Sequence, residues 1–408
     1  MMAKKVWIVN PQTGSPEKAA NPRYLELAKY FMQAGYDVIT FNSSQREGIS
    51  VPNRKFLEKR YGNYKFVHVY APPYSGNGIR RMLSLHQFAK NIFRFHKYFD
   101  KPDVILQNIH PPFDYPIVRL AKKLKVKYIA EAWDLWPADF VHFGLIGKYN
   151  PAMIWAYAIE KKYYYHADEI VFTFKGGLEY LKNKRWTAET GGKVDLNHVH
   201  YINNGIDLAQ FDDDKMRYPR DDEDMKTEDF YKIVYLGSIQ KSNHLQALID
   251  AAAILKDNPK YRFFVYGNGV HRCFLEQYVK DHRIDNVIFK EKRIPLRECA
   301  WVVSQATINI LNYDKGFGWM GLSSGKLFQY LAAGKPIVCN INIDYDDLIS
   351  DNNLGVARDL DTAEAFALEI QRIAELPKED YDAMCGRVRK VAERFDYSIM
   401  AAKEIELL

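Results

Sequence analysis

The sequence contains no run of about 18 apolar residues, the length that crosses a bilayer as a helix, so no membrane-spanning helix is expected. Cysteine is scarce. The four residues Cys273, Cys299, Cys339 and Cys385 all lie in the second half, and none forms a C-x-x-C pair. That argues against a disulfide framework and for reduced thiols in a cytosol. The opening residues offer only Val6 to Val9 as an apolar stretch, too short for a secretory signal and read instead as a first strand. Short repeats and low-complexity tracts are also absent. The GNG at 267–269 is followed by Arg272 where a dinucleotide fingerprint needs a third glycine, so an NAD site is not expected. His198 and His200 form an H-x-H without a third ligand, and Asp212–Asp214 reads as solvated linker, so no metal is expected. No nucleic-acid-binding motif is found.

What is present is a globular balance. The chain has 408 residues, 47% hydrophobic and 26% charged, which exceeds one ordinary core and leads to two domains. Charge is uneven: residues 1–200 hold 30 Lys and Arg against 17 Asp and Glu, and the remainder 27 against 34. A basic first half favours an anionic partner.

Strand and helix patterns alternate throughout, which indicates parallel sheets with helices on both faces. In the first half, strands are expected at Val6–Asn10, Asp37–Phe41, Phe66–Tyr70, Val104–Asn108, Tyr128–Glu131, Glu169–Thr173 and Val199–Ile202. A loop from Pro11 to Pro22 precedes a helix at about 23–34, closed by Gly35. Residues 212–229 read as a charged, apolar-poor connector. A second set of strands follows at Lys232–Leu236, Arg262–Tyr266, Val287–Lys290, Ile308–Leu311 and Ile337–Asn340. The last helix, near 398–407, is expected to cross back to the first domain. Ile79–Phe99 reads as a basic amphipathic helix, with Met82, Leu85, Phe88, Ile92 and Phe95 on one side and Arg80, Arg81, Lys90, Arg94 and Lys97 added. Such a helix suits an anionic membrane surface.

The segment SSGKLFQYLAAGKPIVC, residues 323–339, carries the most specific chemistry. Ser323 or Ser324 can cap a helix running to Ala333, with Gly334 ending it and Pro336 preventing its continuation. A Gly-containing loop, GFGWMG at 316–321, delivers this helix N-terminus, which is a ready anion site. Lys326 in the first turn adds a full positive charge. Lys326, Gln329 and Tyr330 share one face by their spacing. Gln329 can then reach a ribose while Lys326 reaches a phosphate.

This segment resembles the nucleotide-binding helix of retaining GT-B glycosyltransferases, in particular the GT4 family. NNGID with Phe211 (203–207 and 211), VYLGSIQKSNHLQALIDAA (234–252) and FFVYGNGVHRCFLEQYVKDHRIDNVIF (263–289) resemble further family blocks in the same order. EAWDLWP at 131–137 resembles a block of surface-polysaccharide transferases. The resemblance implies an α/β GT-B fold of two doubly wound, Rossmann-like domains facing across a cleft. An acceptor domain would span 1–205, joined by a C-terminal helix at about 390–408, and a nucleotide-sugar domain would span 206–389. It also implies transfer of a sugar from a nucleoside-diphosphate sugar, UDP preferred, to a hydroxyl acceptor with retention of configuration. The acceptor would be a lipid-linked glycan, and the protein would be cytoplasmic, resting on the inner membrane face. Neither metal nor cofactor is implied, the nucleotide sugar being a substrate. The family's two glutamates, eight positions apart, align with Gly321 and Gln329.

Catalytic candidates are His110, after a first-domain strand; Asp134, which can orient or deprotonate an acceptor hydroxyl; and Lys241 and Lys326, aimed at a leaving diphosphate. Nucleotide-binding candidates are Gly237, Ser238, Lys241, Gly267, Arg293, Ile294, Ser323, Ser324, Gly325, Lys326, Leu327 and Gln329. Gly14 is a weaker candidate for an acceptor loop, and Glu131 a less certain companion of Asp134. Two other readings stand beside this one: a sugar-nucleotide epimerase, and a non-catalytic nucleotide-sugar-binding relative suggested by the missing glutamate pair.

Overall fold

The computed structural model describes residues 3–18, 21–76 and 78–408. Ala19 and Ala20, within the loop expected from Pro11 to Pro22, lie outside the described residues. The chain divides into two compact units, Met1–Asn203 with Tyr397–Leu408, and Asn204–Asp396.

The first unit is built on eight strands: β1 (Lys5–Val9), β2 (Asp37–Ser43), β3 (Phe56–Tyr61), β4 (Tyr64–Val69), β5 (Val104–Asn108), β6 (Lys127–Ala132), β7 (Glu169–Phe172) and β8 (Val199–Tyr201). Their spatial order is β3-β4-β2-β1-β5-β6-β7-β8. All neighbours pair in parallel except β3 and β4, which form an antiparallel hairpin. Central β1 is continuous apolar chain, and Val6 to Val9 are almost fully buried, as a strand covered on both faces requires. β1 pairs with β2 on one side (Val6 with Val38) and β5 on the other (Val6 with Val104). The winding therefore reverses at β1, and ligands of such sheets bind beyond the carboxyl ends of strands at that reversal. β5 ends there and leads straight into His110.

The second unit has β9 (Tyr231–Leu236), β10 (Tyr261–Tyr266), β11 (Val287–Phe289), β12 (Ile308–Leu311), β13 (Ile337–Cys339) and β14 (Gly355–Ala357). The order is β11-β10-β9-β12-β13-β14, all parallel. Here the reversal falls between β9 and β12, and β9 leads into Gly237. Two strands were not expected from sequence. β3 alternates too weakly to signal a strand, since Phe56 and Tyr61 are its only partly buried members, and β14 is only three residues long.

Two expectations are corrected. Residues 212–229 are more structured than a linker, though their charged side chains remain largely open to solvent: Asp212, Asp213 and Asp214 lie in the helix Leu208–Arg217, where Asp212 meets Arg389 at 2.5 Å and Asp213 meets Arg217 at 2.8 Å. Met225 is fully buried in the core beside Val234 and Phe264. The apolar stripe of the 79–99 segment is also core. Leu85, Phe88, Ala89 and Ile92 of the helix Ile79–Phe95 are at most 1% exposed, so they are not available to a membrane. The cause is the sheet beneath: an amphipathic helix of a doubly wound domain turns its apolar face inward. Among the described residues, no helix is long and apolar enough to cross a membrane.

The C-terminal helix Tyr397–Ile405 belongs to the first unit. It is tied by Glu404, which lies 3.0 Å from Arg23 of the helix Arg23–Gln33. Arg23 also meets Glu131 of β6 at 2.5 Å, and all three side chains are shut off from solvent.

Candidate active site

In the second unit a cavity of about 520 Å³ opens at the carboxyl ends of β9 and β10. Its wall is made by the loop after β9 (Leu236, Gly237, Ser238, Gln240), the loop after β10 (Gly267, Asn268, Gly269), the segment Lys292–Ile294 with Cys299, and Lys326 and Gln329 of the helix Gly325–Ala333. The lining carries three cationic side chains, Lys292, Arg293 and Lys326, and no carboxylate. Such a wall favours an anion.

The close approach of backbone explains why glycine stands at 237. A Cβ there would come within 2.9 Å of Lys326 Cδ and 3.3 Å of its Nζ. The missing side chain is the space in which Lys326 lies. Tyr330, one turn on from Lys326, is fully buried and its hydroxyl accepts from the Leu236 amide at 3.1 Å, fastening the helix to the end of β9. Asn243 shapes the β9 loop: its Oδ1 accepts from Ser238 Oγ at 3.0 Å and from the Gln240 amide at 3.2 Å.

Lys326 is held by aromatic rings rather than by an anion. Its Nζ lies 4.8 Å from the Tyr235 ring centre and 4.7 Å from that of Tyr313, with a long hydrogen bond of 3.4 Å to the Tyr235 hydroxyl. It has no ion pair among the described residues. Burial of the ammonium lowers its pKa to about 8, against only a weak opposing pull from Cys339. Nearby, Gly321 has φ +99°, which L side chains rarely adopt, so a glutamate at that position would strain this loop as folded.

Of the residues expected to bind nucleotide, the cavity brings together Gly237, Ser238, Gly267, Arg293, Ile294, Lys326 and Gln329. Lys241, Ser323, Ser324, Gly325 and Leu327 do not line it. Lys241 is exposed in the short turn Lys241–Asn243. Ser323 is engaged by Asn204, whose amide donates to the Ser323 carbonyl at 2.8 Å and to its Oγ at 3.0 Å. Ser324 occupies the N-cap position, but its side chain does not cap the helix; its Oγ accepts from the Tyr313 hydroxyl at 2.6 Å. Leu327 lies away from the cavity wall. Its side chain is 1% exposed and its amide already donates to the Ser324 carbonyl, so nothing remains for a ligand.

In the first unit His110 is 5% exposed and stands edge-on to Trp136, ring centres 5.6 Å apart. Arg81 lies over the Trp136 ring, 5.0 Å from its centre. Asp134 is exposed at the rim of this group. Surrounding protein raises its pKa while His110 and Arg81 pull it back, and because its surface is open, water screens much of that shift. Glu131 is not part of this set. It lies inside β6, fully buried, accepting from Arg23, from the Tyr24 hydroxyl and from Trp133 Nε1 at 2.7 Å. Gly14 is buried in a loop clamped by Glu47, which accepts from the Ser15 amide at 2.6 Å. His198 and His200 both meet Glu169, which Lys127 also engages at 3.2 Å.

The second half of the chain, residues 220–391, matches the family model of glycosyl transferases group 1, and residues 23–210 match that of glycosyltransferase family 4. Together the two models cover most of the chain, which is a glycosyltransferase of the GT4 type. Solved GT-B structures share its architecture over nearly the whole length. A sucrose-phosphate synthase from Thermosynechococcus elongatus superposes with a TM-score of 0.74 at 16% identity, covering 99% of this chain and 98% of that one. HepE of Anabaena, solved with UDP-glucose, gives 0.65 at 12% identity, covering 99% and 100%. WaaG, described as a glycosyltransferase involved in lipopolysaccharide biosynthesis, gives 0.67 at 13% identity, covering 98% and 99%. At these identities the likeness shows the fold alone. No curated protein matches the chain in sequence.

Sequence reasoning on this glycosyltransferase missed Tyr235, Tyr313 and Asn243, which shape the Lys326 pocket, and Asp114 and Tyr163, which hold His110. The single available signal was local: Asn243 stands two residues after Lys241, and Asp114 four after His110, each a short polar residue able to bond nearby backbone.

Proposed function

We propose that this glycosyltransferase takes a UDP-sugar as donor and moves the sugar to a hydroxyl of a lipid-linked glycan, with retention of configuration and without a metal. The observation that carries the reading is Lys326: a cation drawn out of water, without a countercharge, on the wall of a cavity that also bears Lys292 and Arg293. A diphosphate supplies the missing charge. Its negative charge grows as the glycosidic bond breaks, so fixed cations that need no reorganisation stabilise the transition state. Three lining cations and no lining carboxylate also favour charge neutralisation by side chains over a bridging metal ion. Gln329 has the polar groups to bond ribose hydroxyls without adding charge. In the first unit, His110 and Asp134 are assigned to the acceptor.

A lipid-linked acceptor is supported by a different surface from the 79–99 stripe. Between residues 143 and 155, Phe143, Leu145, Tyr149, Ile154 and Trp155 are 40% to 84% exposed, beside Lys148. Exposed aromatic and aliphatic side chains next to a lysine suit the boundary between headgroups and acyl chains.

The test is donor turnover. Purified protein is given a panel of UDP- and GDP-sugars with a membrane lipid extract, and released nucleoside diphosphate and labelled lipid are measured. Extract-dependent release from a UDP-sugar, lost in Lys326→Ala, is the expected result. Release of free sugar independent of any extract would overturn the lipid-linked acceptor, and no release from any donor would overturn the donor assignment.

A further inference from the structure

His110 leaves β5 with its ring fixed by a single carboxylate. Asp114 is 2% exposed, accepts from the His110 amide and the Tyr163 hydroxyl, and faces His110 Nδ1. The His110 amide is shared between Oδ1 at 3.0 Å and Oδ2 at 2.9 Å, and His110 Nδ1 lies 3.1 Å from Oδ2. The hydroxyl of Tyr163, from the helix Pro151–His166, donates to Oδ1 at 2.7 Å. Among the described residues the only ion pair of Asp114 is the one with His110.

The chemistry of these groups determines where the proton sits. An ionised carboxylate only accepts, so the Nδ1 that faces it must carry hydrogen. In the neutral ring Nε2 then bears a lone pair, because the tautomer is set by the hydrogen bond the other nitrogen makes. No described residue hydrogen-bonds Nε2, and Trp136 packs against the ring edge-on. Tyr163 in turn prevents Asp114 from rotating away, since its hydroxyl and the His110 amide together occupy Oδ1.

We propose that Asp114, locked by Tyr163, is a positioning residue that keeps His110 protonated at Nδ1, so that Nε2 accepts a hydrogen bond from a substrate hydroxyl. The identity of that hydroxyl rests on the glycosyl-transfer reading; the tautomer does not. An acceptor nitrogen selects for a group that carries hydrogen. A substrate whose contacted hydroxyl is methylated or removed leaves Nε2 unpaired, and sites built to bond a hydroxyl discriminate strongly against analogues lacking it.

The test uses the full chain labelled with 15N-histidine, the His110 ring signals being assigned by their loss in His110→Gln. The expected wild-type spectrum shows Nδ1 protonated and Nε2 bare, with no substrate present. In Asp114→Ala the two nitrogens average or exchange roles, kcat/KM for transfer falls about 10- to 100-fold, the range typical of losing a group that orients a histidine, and UDP affinity changes less than about twofold. Tyr163→Phe, which retains the carboxylate, shows the same changes in smaller degree and serves if Asp114→Ala does not fold. A wild-type spectrum with Nε2 protonated would overturn the proposal, as would an Asp114→Ala or Tyr163→Phe enzyme with wild-type kcat/KM and an unchanged spectrum. If the wild type turns over no donor, the glycosyl-transfer reading fails, and the spectrum still decides the tautomer.

Discussion

Arg23 in the first unit and Lys326 in the second are both cations drawn out of water, and their surroundings are opposite. Arg23 is fully buried and meets Glu131 at 2.5 Å and Glu404 at 3.0 Å, with Nη2 also donating to the Ile202 carbonyl and Nη1 to that of Asn203. Among the described residues Lys326 has two aromatic rings, one long hydrogen bond and no carboxylate beside it, on the wall of an open cavity. A buried charge whose partners are all in place holds a fold together. Lys326 is half-buried, and a partly desolvated charge without a countercharge is unfavourable on its own and is retained where a ligand completes it. The same physical cost of desolvation therefore marks a structural clasp in one place and a binding site in the other.

The sharpest break of this comparison removes each cation. Arg23→Met leaves Glu131 buried without its counterion beside Glu404, and breaking such a buried pair costs about 3–5 kcal/mol. Denaturant melts should show that loss of stability, with undocking of the C-terminal helix. Lys326→Met should act the other way on stability, since a desolvated cation is replaced by an apolar chain of similar size. Turnover, however, should fall about 10²- to 10³-fold, as for removal of one preorganised electrostatic group. Equal stability losses in the two variants would contradict the distinction.

A smaller effect is the pH dependence of stability, where the two sites differ in sign. Lys326 has its folded pKa lowered to about 8 by burial, so between about 8 and its ordinary value the unfolded state binds more protons. Stability of the ligand-free protein should therefore rise with pH through that window. Glu404 is pushed up to about 8 by burial and by Glu131, against the pull of Arg23. Here the folded state binds more protons, so stability should fall as pH rises from the ordinary carboxyl range to about 8. Glu160, buried among Tyr164 and Tyr180 and likewise raised to about 8, adds to that fall. Melting temperatures from pH 5 to 10 should thus pass through a minimum near 8. The smallest expected change is in Glu404→Gln, which mimics the protonated acid: it should be nearly neutral at pH 6 and shallow the decline toward pH 8. A Gln variant that destabilises as much as Arg23→Met would show that Glu404 works as an anion instead.

Much of the second unit was legible because its chemistry is local. Gly237, Ser238 and Gly267 sit in loops directly after strands, and Lys326 and Gln329 share a helix face by simple spacing, so the residues that meet in the cavity announce themselves within short segments. The glycosyltransferase relationship could be read from those same segments. What could not be read depended on distant pairing. Glu131 stood three residues before Asp134 at the end of an expected strand and read as its less certain companion, yet its partner Arg23 is 108 residues away, and Glu404 is 381 from Arg23. The 79–95 helix was recognisable as amphipathic, but periodicity gives the apolar face and not what covers it; the sheet does. Leu327 fell among the nucleotide candidates by adjacency to Lys326, though one step along a helix turns a side chain about 100° away.

The most direct test of the account is calorimetric titration of UDP into the wild type and Lys326→Met at pH 7 and pH 9. The account predicts that wild-type affinity is higher at pH 7 than at pH 9, that binding at pH 9 takes up protons as the diphosphate restores the lysine charge, and that both effects vanish with the much weaker binding of Lys326→Met. Wild-type affinity independent of pH across this range and unaltered in Lys326→Met would contradict it.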